Sequence, residues 1–432
     1  METVLVGSEV ARVDGLAKVR GTAIYGDDIR LKNMLYGVCR YVDIAAGRVD
    51  SVDISEAEKV PGVVRIATWK DIPGQRKLGV IIPDYPPIID NEVAYRGDVI
   101  AVVAAESYQA ACLAVDKIKL TYSPCEPITS PEEALKPGAR LIHSSLESNV
   151  INRHHTVKGD IEAGFAASTK IIERDYEVGF QEHAYIEPES ITAWLDDDQQ
   201  IMTIAGSIQN AHRIRGIVAK YLDLPQSKVN VKRSVLGGSF GGKDDIIDNL
   251  ACRAALLVQL TGRPVKMTYN REQSMRESYK RHPYKLHYRI GLDDDARIQA
   301  MQINIIADGG SYAGQTMFVT WRSSVQAAGP YNIPNVRVDI TGVYTNNNYT
   351  SAYRGYGAPQ IIFANESLMD EVAEIMGLSP VELRLRNILR QGDTSMAGQR
   401  MCDHTVSAQE VLETSVLKAE FEARRAHYQQ LN

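Results

Sequence analysis

Between residues 17 and 122 apolar runs alternate with turns. Met34–Tyr41 (MLYGVCRY), Gly62–Thr68 (GVVRIAT) and Val99–Ala105 (VIAVVAA) are short, continuous apolar runs bounded by turn residues. That pattern predicts strands buried on both faces. Ser107–Lys117 predicts a helix with Ser107 as its N-cap, and Ile118–Tyr122 a further strand. Asp84–Asn91 (DYPPIIDN) is a turn-rich loop within this compact α/β stretch.

Ser123–Gly138 then brings prolines at 124, 127, 131 and 137, followed by mostly polar sequence to about Gly159. This composition predicts a linker at 126–159 between a first domain, 1–125, and a second region, 160–432. The second region mixes both periods. Ile191–Leu195 and Ile201–Ile204 predict strands around a turn at Asp196–Gln200; Lys228–Val235, Pro264–Tyr269 and Leu286–Ile290 predict more. Asn210–Leu222, Asp245–Leu260, Met369–Met376 and Pro380–Leu389 predict helices, the last two separated by Gly377-Leu378-Ser379-Pro380, and Ala408–Gln430 is a charged, helix-prone tail. The expected fold class is α+β, mixed α/β. No short repeat or low-complexity tract is present.

The chain has 432 residues, 44% hydrophobic and 24% charged, with a formal net charge of −6. That is the composition of a globular protein with ample core. The net acidity argues against a general nucleic-acid or anionic-membrane binder, which needs clustered Lys and Arg. No apolar run is long enough for a transmembrane helix, and METVLVGSEVARVDG has no basic segment before an apolar core, so no signal peptide is expected. The five cysteines, Cys39, Cys112, Cys125, Cys252 and Cys402, are scattered without a CxxC pair. Reduced thiols in a cytoplasmic protein are expected, with no zinc or iron–sulfur site on this chain. His154 and His155 fall in the expected linker and are read as non-ligands, and the Glu187/Glu189 pair as structural.

The most informative segment is Gly237-Gly238-Ser239-Phe240-Gly241-Gly242-Lys243-Asp244-Asp245, between a predicted strand and a predicted helix. Small residues let a ligand approach the backbone, and the following helix start offers N–H groups to an anion. The spacing nearly makes a phosphate-binding P-loop, but Asp244 stands where a Ser or Thr should hold magnesium, and a carboxylate there repels phosphate. A bare strand-to-helix turn with Asp244 or Asp245 as N-cap also fits. Phe240, a large ring among glycines, points instead to a wedge beside a bound group.

GGSFGGKD resembles the GGGFGGKE loop of the xanthine dehydrogenase and aldehyde oxidase family. The likeness runs through the chain in order. RVDGLAKVRGTAIYGDDI (Arg12–Ile29) resembles the start of the family's hammerhead-like α/β domain. QEHAYIEPES (Gln181–Ser190), SIQN (Ser207–Asn210), GPYNIPNVR (Gly329–Arg337), SAYRGYGAPQ (Ser351–Gln360) and MDEVAEIMGLSPVELRLRN (Met369–Asn387) are similar to further family segments. The resemblance implies a hammerhead-like domain followed by the first half of the molybdopterin-binding region.

It also implies site residues. Gln209 matches the glutamine that hydrogen-bonds near an oxo ligand of molybdenum. Phe240 and Gly241 match the loop whose backbone lies by the metal, and Arg354 matches a loop on the opposite side. The metal's own ligands come from the pterin cofactor, expected in its cytosine dinucleotide form. Asp244 falls where xanthine-oxidising members carry a glutamate that contacts the purine. Arg322 matches an arginine that steadies the heterocycle, and Tyr356 a phenylalanine that packs on it. A carboxylate, an arginine and an aromatic face suit a flat nitrogen heterocycle, purine/xanthine-like or nicotinate-like.

The family's reaction hydroxylates an electron-poor carbon with oxygen from water, and a glutamate late in the second half acts as base. No GxGE-like segment carrying that glutamate occurs here, so the base is expected on a partner: a second molybdopterin subunit. Iron–sulfur and FAD subunits complete the expected complex. The chain is either the product of a naturally split gene or a fragment, and the polar, helix-prone tail ending HYQQLN favours a natural terminus. Aldehyde oxidoreductase and aromatic acyl-CoA reductase subunits, and a scaffold that has lost its cofactor, are the alternative readings.

Overall fold

The computed structural model describes residues 7–196, 198 and 200–431. The N-terminal reading and the predicted Asp196–Gln200 turn lie partly outside the described residues. Helices and sheets are mixed throughout. The chain forms two compact units, each built from two stretches: residues up to Pro127 with Glu182–Tyr279, and Ile128–Gln181 with Lys280 onward.

The first unit holds a seven-stranded sheet. Its order is Val229–Arg233, Met202–Gly206, Ser190–Leu195, Val265–Thr268, Leu35–Tyr41, Val99–Ala105 and Val63–Ala67. Leu35–Tyr41 joins Val265–Thr268 in parallel and Val99–Ala105 antiparallel, so the two stretches share one sheet. Val99–Ala105 lies between two neighbours and every residue in it is buried, the reason its sequence is an unbroken apolar run. Ser107 caps the next helix, Tyr108–Lys117, by accepting from Ala110 N. A smaller sheet pairs Gly47–Asp53 with Glu92–Val93 and Lys119–Pro124.

A fully buried polar network lies inside this unit. Arg253 contacts Glu277 at 2.7 Å, and the Glu277 carboxylate also accepts from the hydroxyls of Tyr41, Tyr85 and Tyr269. Cys39, whose thiol burial pushes up to about 11, sits against Arg253. All five cysteines are unbridged.

The second unit is built on a five-stranded sheet ordered Val150–Lys158, Asn335–Tyr344, Ile298–Gly310, Tyr284–Leu292 and Lys170–Val178. Alternate residues of Tyr284–Leu292 and Asn335–Tyr344 enter a core shared with Ile361, Leu368, Met369 and Val372 of helix Ala358–Ile375. Ser379 and Glu382 form a capping box that restarts the chain as helix Pro380–Asn387. The tail folds as two helices, Ala408–Lys418 and Phe421–Leu431, neither with a buried residue.

The 126–159 stretch, expected as a linker, carries regular elements. It contains a short helix, Pro131–Ala134, and the edge strand Val150–Lys158. The strand's solvent face is polar, so its sequence imitates a loop. His154 and His155 lie on that strand; His154 Nε2 lies 3.0 Å from Met317 O, and His155 Nδ1 2.6 Å from Asp339. The single second domain, 160–432, is likewise divided, since its Glu182–Tyr279 stretch joins the first unit. No helix among the described residues is long and apolar enough to cross a membrane.

Candidate functional site

In the first unit, strand Val229–Arg233 leads into the glycine-rich loop and then into helix Asp245–Thr261. Gly238, Phe240 and Gly241 take φ of 104°, 53° and 94°. A left-handed aromatic residue carries strain of roughly 1–3 kcal/mol that its surroundings must hold in place. They do so from beneath. A Cβ on Gly237 would stand 2.5 Å from Glu187 Cβ, and one on Gly242 2.6 Å from Tyr185 Cε1 and 2.7 Å from His183 Cγ. Phe240 is left half-exposed at 47%.

Polar groups fix the same floor. Glu187 accepts from Gly237 N at 2.7 Å and from Lys243 Nζ at 2.6 Å. Lys243 is fully buried and stacks over Tyr185 with Nζ 4.6 Å from the ring centre. Burial pushes its pKa down while Glu187 opposes the shift. It is thus an internal strut, whereas a P-loop lysine faces a ligand. Glu189 is buried against the Tyr185 hydroxyl, and burial raises its pKa.

The start of helix Asp245–Thr261 departs from both expectations for it. Asp244 occupies the N-cap position, yet its side chain makes no capping bond. The Tyr279 hydroxyl accepts from Asp244 N at 3.0 Å and Asp245 N at 3.2 Å and donates to Gly241 O. Those N–H groups are therefore not offered to an anion. The Asp244 carboxylate lies 3.0 Å from Arg213, which also meets Asp245 at 3.0 Å and Asp248 at 3.1 Å. Burial pushes the Asp248 carboxyl up to about 8 against the pull of Arg213.

Gln209 precedes helix Ala211–Tyr221, whose N-cap Asn210 accepts from Arg213 N. Gln209 N donates to Lys243 O at 3.1 Å and its Oε1 accepts from Ser239 Oγ. The side chain is exposed and keeps its NH₂ as a donor. The structure therefore brings Gln209, Phe240, Gly241 and Asp244 together. Sequence reasoning missed the supports Arg213, Tyr279 and Lys243.

In the second unit, Gly355, Tyr356 and Gly357 take φ of 97°, 51° and 94° just before helix Ala358–Ile375. The Tyr356 hydroxyl donates to Gln315 Oε1, and Gln315 N donates to Ser351 Oγ at 3.1 Å. Helix Thr316–Ser324 carries Arg322 and is fastened to this loop by Ser323 Oγ donating to Gly357 O at 3.2 Å. Arg322 and Arg354 are exposed, and neither forms an ion pair among the described residues. Thus Arg322, Tyr356 and Arg354 sit on linked elements, with Gln315 as the support that sequence reasoning missed.

Both loops hold an aromatic residue in left-handed backbone directly before a left-handed glycine and shortly before a long helix. Residues 142–388 match the family model of the molybdopterin cofactor-binding domain, and residues 20–126 that of the aldehyde oxidase and xanthine dehydrogenase a/b hammerhead domain. The chain belongs to the xanthine dehydrogenase and aldehyde oxidase family of molybdopterin-dependent oxidoreductases. Within that family it is 38% identical to a probable xanthine dehydrogenase subunit of Bacillus subtilis (strain 168), over 92% of this chain and 53% of that one. It is 36% identical to the nicotinate dehydrogenase large molybdopterin subunit of Eubacterium barkeri, over 96% of both. The solved aldehyde oxidoreductase from Desulfovibrio gigas superposes with a TM-score of 0.91 at 30% identity, covering 98% of this chain and 47% of that one. The chain thus spans about half the length of the first and third of these relatives and nearly all of the second.

Proposed function

We propose that this chain is the large molybdopterin subunit of a multi-subunit molybdenum hydroxylase that oxidises a nitrogen heterocycle, purine/xanthine-like or nicotinate-like, with water as the oxygen source. The observation that carries this is the glycine-rich loop. Glu187, Lys243 and Tyr279 satisfy its polar atoms from beneath, while strained Phe240 and the Gln209 amide remain exposed. Such a surface fits a bulky cofactor that brings its own metal ligands and needs from the protein a close backbone approach and one donor. When bound, the molybdenum centre supplies the two-electron redox chemistry. Gln209, Phe240, Gly241 and Arg354 would hold it, and Asp244, Arg322 and Tyr356 would meet the substrate.

On this reading the general base, a glutamate, comes from a second molybdopterin subunit. Iron–sulfur and FAD subunits carry electrons away, the cofactor is the cytosine dinucleotide form, and the complex is cytoplasmic. The half-exposed Phe318 and Trp321 beside Arg322 support a partner surface there, because large apolar side chains mark interaction sites. The similarity to the Desulfovibrio gigas aldehyde oxidoreductase favours an aldehyde-oxidising subunit as second reading. The test is purification of the complex from cells. About one molybdenum per chain, a second molybdopterin subunit, and turnover of purines or pyridine carboxylates above aromatic aldehydes are expected. A molybdenum-free complex would reject the reading; preferential turnover of aldehydes would move it to the second.

A further inference from the structure

Asp244, where the proposed function expects a substrate contact, is already engaged. Arg213 stands in the first turn of helix Ala211–Tyr221, four positions after Gln209. Its guanidinium reaches Asp244, Asp245 and Asp248 at 3.0, 3.0 and 3.1 Å, and its side chain is 15% exposed. These aspartates occupy the N-cap, first and fourth positions of helix Asp245–Thr261, so one cation gathers all three. The Asp244 side chain is 12% exposed. At 3.0 Å from Arg213, the Asp244 carboxylate is oriented toward the arginine and its charge is partly compensated there. An unpaired carboxylate at that position would accept from an N–H edge of a neutral ring and repel an anionic one. A glutamate would carry the carboxylate one carbon farther; the shorter aspartate stays with Arg213. By contrast, Arg322 and Arg354 have no carboxylate partner among the described residues.

We infer that Arg213 is a specificity-determining positioning residue: by pairing with Asp244 it withdraws that carboxylate from the substrate, so the site selects an aromatic nitrogen heterocycle bearing a carboxylate over a neutral ring with N–H edges. This rests on the reading that position 244 borders the substrate. Arg213 acts through Asp244 and need not touch the substrate itself.

A double-mutant cycle in the purified holo complex tests it, with pyridine-3-carboxylate and hypoxanthine as probes. Their dissociation constants are measured by calorimetry without an electron acceptor, beside molybdenum content. Arg213→Gln should weaken pyridine-3-carboxylate about tenfold and tighten hypoxanthine, the scale of one uncompensated charge at close range. Arg213→Gln with Asp244→Asn should restore affinity for the anionic ring, because the released carboxylate is gone. Asp244→Asn alone leaves Arg213 in place and keeps the test alive if the arginine variant fails to assemble; it should tighten pyridine-3-carboxylate. Unchanged affinity ratios in Arg213→Gln with molybdenum retained, no rescue in the double variant, or weaker anion binding in Asp244→Asn each overturn the inference. If Arg322→Met and Asp244→Asn both leave both probes unaffected, the placement of the substrate site falls as well.

Discussion

Lys243 meets Glu187 at 2.6 Å beneath the glycine-rich loop, fully buried and stacked on Tyr185. The pair joins the end of the loop to its start, because the same carboxylate accepts from Gly237 N. Removing one partner of a buried ion pair leaves the other uncompensated, at a cost of about 3–5 kcal/mol. Lys243→Met should therefore lower the melting temperature by several degrees and reduce molybdenum per chain in the purified complex. Full molybdenum occupancy with an unchanged melt would show that the loop does not depend on this strut.

Two glycine-to-alanine changes should have opposite signs. At Gly242 a Cβ meets Tyr185 Cε1 at 2.6 Å and His183 Cγ at 2.7 Å, and both rings are held by their surroundings. Overpacking of this kind costs about 1–3 kcal/mol. At Gly216, inside helix Ala211–Tyr221, the nearest atom is Gln226 Nε2 at 3.7 Å. Alanine there should stabilise by about 0.5–1 kcal/mol, through helix propensity and lower entropy of the unfolded chain. Denaturant midpoints of the two variants check the signs; equal shifts would contradict the packing described for the loop floor.

The glycine-rich loop is legible in the sequence as small residues between a strand and a helix, and Gln209 lies against it through Ser239 and Lys243. Its supports are not legible. Tyr279 reaches Gly241 across 38 positions and Glu187 reaches Lys243 across 56, and no periodicity announces contacts at such separations. Position alone suggests a role for Asp244 and hides the competing claim of Arg213. Fully buried strands such as Val99–Ala105 are plain from composition, whereas Lys170–Val178 and Val150–Lys158, the two polar edge strands of the second sheet, are not. Asn335–Tyr344 is different: the alternation in VRVDI is a usable signal, masked by the GPYNIP turn that precedes it.

His282 predicts an acid-side loss of stability. It is fully buried, its Nε2 lies 2.9 Å from Thr316 Oγ1, and burial pushes its pKa from the ordinary 6.5 down to about 3. The folded protein keeps the ring neutral, while the unfolded chain takes up a proton below about pH 6.5. The stabilising contribution is thus complete above that value and is lost as pH falls toward about 3, at about 1.4 kcal/mol per pH unit inside the window. His282→Gln should flatten stability against pH between 6 and 4, roughly the middle of that window. An equal slope in wild type and variant would assign the acid sensitivity to other groups.

Arg322 carries the test of substrate chemistry. It is exposed on helix Thr316–Ser324, which Ser323 fastens to the Tyr356 loop. In the proposed reading its guanidinium steadies negative charge that builds on the ring as the electron-poor carbon is attacked. An interaction that strengthens toward the transition state lowers kcat when it is removed, whereas one that only binds the ground state raises KM. Loss of a positioned donor of this kind typically costs about 10²–10³ in rate. Arg322→Met, in the assembled complex with molybdenum content verified, should therefore depress kcat for a heterocycle by about that factor. It should leave a small aromatic aldehyde, which has no second polar edge for the arginine to hold, nearly untouched. The ratio of kcat/KM for the two substrates, in wild type and variant, is the measurement. An unchanged ratio would remove Arg322 from substrate recognition and favour the aldehyde reading over the heterocycle one.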